Sequence, residues 1–68
     1  MSVVKVIEII GTSEKGWDDA VKQAVRRTSE TVENITGIEV MAMTARVTDA
    51  EITEYRATIK IAFHVKTQ

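Results

Sequence analysis

Few side chains in this sequence are equipped for chemistry. Histidine occurs once, at His64, and cysteine is absent. A nucleophile needs a base beside it and a group to orient that base. No serine, histidine and carboxylate set and no His-Glu-x-x-His spacing is present, so the expectation is a protein that is not an enzyme. Glu14, Asp18 and Asp19 offer the oxygen donors that calcium or magnesium takes. They do not form a twelve-residue calcium loop, and they suit equally the positive end of a helix dipole. Gly11-Thr12-Ser13 suggests a phosphate loop at a helix start, but the lysine and further glycines of that motif are missing, which leaves helix capping. Arg46 and Arg56 are fixed cations able to grip a phosphate or carboxylate. Arg56 could instead pair with Glu39, Glu54 or a carboxylate of another subunit. Met41 and Met43 fall on one strand face, where thioethers can adapt to a flat ring or fill a packed interface. Trp17 reads as an anchor for a helix against the sheet or a neighbour, and His64 as a solvated strand residue.

The elements that must position these groups follow from hydrophobic periodicity. Val3 to Ile10 is short, β-branched and closed by Gly11, which is a strand. Its faces, Val3-Lys5-Ile7-Ile9 and Val4-Val6-Glu8-Ile10, are both largely apolar, so something covers both sides. A helix should start after Thr12 or Ser13 as N-cap and run to about Glu33. Trp17, Val21, Ala24, Val25, Thr28, Val32 and Ile35 form its apolar stripe. Glu30 would pair with Arg26 and Arg27, and Asn34 and Gly37 would stop the helix. A second strand spans about Ile38 to Val47, with Glu39, Met41, Met43, Ala45 and Val47 on one face. Thr48-Asp49-Ala50-Glu51 suits a hairpin. The third strand, Ile52 to Lys66, alternates most cleanly. The order is β-α-β-β, an α+β fold in one domain, residues 1–68. With the third strand between the other two, all neighbours are antiparallel, and the helix covers the face holding Tyr55, Ile59, Ile61 and Phe63.

Size and composition then set the assembly. The chain has 68 residues, 44% hydrophobic but only 4% aromatic, and a net charge of -1. That balance argues against nucleic acid as a partner. No stretch approaches the roughly 20 apolar residues of a membrane span. The start MSVVKVIEIIGT lacks the basic segment of a signal peptide, so the expected location is the cytoplasm. Chains of this size usually lean on disulfides, a metal or other subunits. Without cysteine, and with a lone histidine, a homo-oligomer is the remaining route. One helix covers one sheet face, so the other apolar strand residues need copies of the chain. The long third strand can project past its neighbours to reach one.

The residues carrying a family likeness are Val4-Lys5-Val6-Ile7-Glu8-Ile9-Ile10-Gly11-Thr12-Ser13, then Thr31-Val32 and Asn34, Glu39-Val40, Tyr55 and Ala62-Phe63. In these the sequence resembles the dodecins over nearly its whole length. The resemblance implies a hollow spherical dodecamer that binds a small ligand, in many dodecins flavins such as riboflavin or FMN held in pairs for storage and buffering. Three positions depart from the flavin-binding pattern. Gly37 stands where the indole that stacks on the flavin ring would be. Arg56 stands where a glutamine hydrogen-bonds that ring. Thr44-Ala45 replaces an Arg-Gly pair. Losing the indole removes a stacking contribution of about 0.5 to 1.5 kcal/mol beyond area burial. Arg56 donates only and favours an anion. The pattern is similar to a dodecin subgroup without the stacking tryptophan, for which bound calcium is suggested. The ligand site expected from it includes Gly37, Arg56, Arg46 and Met41, with weakened flavin binding.

Overall fold

The computed structural model describes residues 2–65. The elements are β1 (Val3–Ser13), α1 (Trp17–Thr28), β2 (Ile35–Thr48) and β3 (Glu51–Val65). They form one antiparallel sheet in the order β1-β3-β2, with α1 against one face. This is the β-α-β-β arrangement expected from the sequence; Lys66, assigned there to the third strand, lies outside the described residues.

β3 takes the centre because it is the strand whose alternation serves both a core and a polar face. Ala57, Ile59 and Ile61 are fully buried and meet Ala20 and Ala24 of the helix. Gly11 permits this closeness. A Cβ there would collide with the Ala20 carbonyl oxygen and come within 2.8 Å of the Ala24 Cβ. Its backbone is not left-handed, so this glycine serves close approach rather than a turn.

The helix is shorter, and β1 and β2 are longer, than the periodicity indicates. β1 absorbs Gly11-Thr12-Ser13, and the helix begins after Gly16 with no side-chain cap. The Ser13 hydroxyl is used otherwise: it donates to Asp19 Oδ2 at 2.7 Å and accepts the Lys15 amide at 2.9 Å. At the other end the helix stops at Thr28, short of Glu33. The β-branched residues Thr28, Thr31 and Val32 are weak helix formers. The Ser29 hydroxyl donates to the Arg26 carbonyl at 2.7 Å, a local bond of the kind that competes with helix propagation. Glu30 therefore lies beyond the helix; its amide donates to the Arg27 carbonyl at 3.2 Å, but its carboxylate forms no ion pair with Arg26 or Arg27. Asn34, at φ 63, makes the reversal. Gly37 ends nothing; it sits inside β2.

β2 also corrects the expected faces. Its register against β3 shifts between Ile35 and Gly37, Val40 and Ala42, and Arg46 and Val47. A bulge adds one unpaired residue and resets the alternation. Ile38, Val40, Met43 and Ala45 thus oppose Ile61, Ile59, Ala57 and Tyr55 on the helix side. Met41 falls at the middle shift, so it does not share a regular face with Met43. Glu39, Ala42, Thr44 and Arg46 oppose Lys60, Thr58, Arg56 and Glu54 on the other face.

The hairpin turns through Asp49 and Ala50, both with positive φ, as a tight two-residue reversal demands. β1 stops pairing at Ser13 opposite Tyr55. The β2–β3 hairpin beyond that level projects as a two-stranded arm, and the chain measures 54 × 20 × 13 Å.

A candidate ligand face on the outer side of the sheet

The sheet face away from the helix collects both arginines singled out above, their carboxylate candidates Glu39 and Glu54, and Gly37. Reading across β1, β3 and β2, its rows are Val6-Ala62-Gly37, Glu8-Lys60-Glu39, Ile10-Thr58-Ala42 and Thr12-Arg56-Thr44, followed by the Glu54-Arg46 pair. The row in which Lys60 stands between Glu8 and Glu39 was not evident from spacing along the chain. It follows only once β3 is central, because strand register decides which charges become neighbours.

Arg56 is held by its own strand. Its Nε donates to Glu54 Oε1 at 2.7 Å, and both side chains keep a third or so of their surface in solvent. Glu54 and Arg56 are two apart, so they point the same way. The Arg56 hydrogen bond keeps the Glu54 carboxyl below its ordinary range, with the Arg46 charge adding to the effect. This is the intrachain pairing that the sequence offered as an alternative to ligand contact. It is also the one ion pair within 4.0 Å among the described residues.

Gly37 lies at a distance from this cluster. It opposes Ala62, whereas Arg56 opposes Thr44. Six β3 residues separate those levels, about 20 Å at the usual rise. A single chain therefore brings Arg46, Glu54 and Arg56 together but leaves Gly37 apart, with Met41 at the bulge between. A Cβ at Gly37 would meet nothing within 4 Å, and its φ is ordinary, so the position is an open spot on an apolar floor.

Trp17 belongs to the opposite face. Its Nε1 donates to the Thr44 carbonyl at 2.9 Å. Its ring meets Tyr55 edge-on, with centroids 4.8 Å apart and planes at 81°. The indole thus ties the helix start to β2 and β3. Of the acidic trio, Asp19 is engaged by Ser13, whose hydrogen bond holds its carboxyl below the usual range, helped by the nearby Lys15 and Arg26 charges. Among the described residues no three His, Asp or Glu side chains converge to hold a metal ion. His64 is half-buried opposite Val4, and its amide donates to the Asn34 carbonyl at 2.9 Å. No helix among the described residues is long and apolar enough to cross a membrane.

These features define a small α+β subunit with a one-helix core and a charged, partly apolar outer sheet face. The sequence matches the Dodecin family profile over residues 3–66. It is 36% identical over 66 residues to the calcium dodecin of Mycobacterium tuberculosis, covering 97% of this chain and 93% of that protein. The dodecin of Thermus thermophilus is 28% identical over 64 residues, covering 94% and 93%. Among solved structures, the dodecin of Streptomyces coelicolor superposes with a TM-score of 0.94 at 28% identity, over 98% of this chain and 96% of the other. The calcium-chelating calcium dodecin of Mycobacterium tuberculosis gives 0.84 at 34% identity, with the same two coverages. The chain belongs to the dodecin family.

Proposed function

We propose that the chain is a non-enzymatic, cytoplasmic, self-assembling dodecin. Twelve copies close a hollow shell that holds a small ligand, and the protein falls in the subgroup that lacks the stacking tryptophan. The observation carrying this reading is the surface that one chain leaves in water. Among the described residues the buried apolar side chains are only Ala20, Ala24, Ala57, Ile59 and Ile61, while Val4, Val6, Ile10, Met43 and Val47 are each more than half exposed. The accessible surface is 5170 Å², against about 4,300 Å² for a compact monomer of this mass. The radius of gyration is 14.1 Å, against roughly 11 Å for a compact chain of this length. Native mass spectrometry of untreated protein tests the shell and its cargo together. A twelvefold mass is expected; a species at the 7.6 kDa of one chain overturns the reading.

For the ligand, the separation of Gly37 from Arg56 supports a site completed between copies. With glycine in place of the indole and Arg56 already carrying Glu54, flavin is held weakly, and an anionic group suits the Arg46–Arg56 cluster better. Titrated riboflavin is expected to keep its fluorescence. Gly37→Trp, which has room for a ring, is expected to raise flavin affinity at least tenfold and to quench that fluorescence; unchanged affinity would mean the pocket differs elsewhere.

The likeness to a calcium dodecin favours a second reading, in which the shell binds divalent cations with carboxylates from several copies. A ligand of the folded state raises its melting temperature by mass action. Calcium is expected to do so and EDTA to reverse it; melting that ignores both removes this reading.

A further inference from the structure

One stretch of the outer sheet face gathers donors suited to a tetrahedral anion. Arg56 lies on the central strand, with Thr12 of β1 and Thr44 of β2 directly opposite it on either side. Opposed residues of antiparallel strands share a face, with Cα atoms about 4.5 to 5.5 Å apart. The next row sets Arg46 of β2 opposite Glu54, about 7 Å further along the strands. Two guanidinium groups and two hydroxyls are thus neighbours on one surface. Thr12, Thr44 and Arg46 are exposed, and Arg56 is half-buried. The row is tied down from the helix side, because the Trp17 indole donates to the Thr44 carbonyl at 2.9 Å.

Glu54 takes up little of this capacity. It engages Arg56 through Nε alone, at 2.7 Å. Among the described residues the two terminal nitrogens of Arg56, the whole guanidinium of Arg46 and the hydroxyls of Thr12 and Thr44 make no hydrogen bond. A guanidinium caught side-on at Nε keeps its terminal fork for a second acceptor. Two arginines against one glutamate leave one positive charge in excess, so that acceptor is an anion. The row on the other side of Arg56, Ile10-Thr58-Ala42, is mostly apolar, and Ile10 is 64% exposed.

We propose that Thr12, Thr44, Arg46 and Arg56 bind the phosphate group of a small phosphate monoester, whose uncharged part lies along the Ile10-Thr58-Ala42 row. This rests on the reading of the Arg46–Arg56 cluster as an anion site and names the anion. A phosphate monoester offers three acceptor oxygens in a tetrahedron, which two guanidinium forks and two hydroxyls can meet from different sides; a flat carboxylate offers two. Glu54 is a positioning residue. It holds the Arg56 guanidinium by one edge, and its own charge opposes the phosphate, which keeps the ligand exchangeable.

Titration calorimetry of the full-length chain with phenyl phosphate, inorganic phosphate and acetate tests the site at low ionic strength, where exposed charges are least screened. Phenyl phosphate is expected to bind saturably and about tenfold tighter than acetate. It should also bind tighter than inorganic phosphate, because its ring covers apolar surface. Arg46→Gln and Arg56→Gln should each weaken it about tenfold, and Thr44→Val about threefold. Glu54→Gln keeps an acceptor for Arg56 Nε but removes the opposing charge, and should strengthen binding about threefold. Circular dichroism checks that each variant keeps the native helix content. Phosphate bound no tighter than acetate overturns the phosphate preference while leaving an anion site. Inorganic phosphate bound as tightly as phenyl phosphate overturns the monoester. No saturable binding of any of the three, or folded arginine variants that bind as the natural chain does, overturns the site altogether. A twelvefold mass in a sample that binds no phosphate leaves the shell standing without it.

Discussion

Gly11 and Ser13 show how much depends on single residues at the end of β1. Gly11 has no room for a side chain against Ala20 and Ala24. Gly11→Ala must move the helix off the strand, and overpacking of this kind costs about 1 to 3 kcal/mol; a lower melting temperature in calorimetry is the expected result, and an unchanged one would mean the helix can shift freely. Ser13 acts through charge. Its hydroxyl is the leading reason that the Asp19 carboxyl titrates below its ordinary value of 3.8. A carboxyl depressed in the folded state adds stability above its unfolded pKa and loses it as pH falls through the folded value. Between pH 7 and pH 3, Ser13→Ala should therefore lose less melting temperature than the natural chain, measured by circular dichroism. The sequence placed Gly11 and Ser13 in a capping turn. Their functions were hidden because they depend on the distance to residues one helix turn away in space.

At the scale of elements, the order, the central β3 and the helix-covered face were all legible from periodicity. β3 was clearest, since Tyr55 through Phe63 alternate without interruption and the structure buries one side of that alternation. The helix end and the faces of β2 were not. Apolar spacing at three and four continues through Val32 and Ile35, so periodicity alone carried the helix too far; Ser29 and the β-branched residues stop it. β2 is bulged, and a bulge leaves no mark in a sequence that is apolar on both faces. For the same reason Met41 and Met43 looked like neighbours. The hairpin supplies an element-level test. Ala50 sits at φ 66, where a Cβ costs roughly 1 to 2 kcal/mol, part of which glycine forfeits in unfolded-chain entropy. Ala50→Gly should stabilise the protein by about 0.5 to 1 kcal/mol in urea unfolding; destabilisation would show that the turn tolerates the methyl group.

For the whole molecule, the decisive quantity is apolar surface that one chain cannot hide. The sheet has two faces and two edges, and a single twelve-residue helix serves one part of one face. Val4, Val6 and Ile10 on the outer face and Ile38, Val40 and Met43 on the helix side remain open. At about 25 cal/mol per Å² of apolar surface removed from water, even a few hundred Å² per contact supplies several kcal/mol before association costs are met. In the proposed shell, folding and assembly become one equilibrium, because partners stabilise the folded chain by mass action and therefore with concentration. Melting temperature should accordingly rise with protein concentration over a hundredfold range, with loss of helix and loss of assembled mass coinciding. A chain that melts at one temperature regardless of dilution, while remaining small in light scattering, would have to be stable on its five-residue core alone, and both the shell and the site completed between its copies would fall.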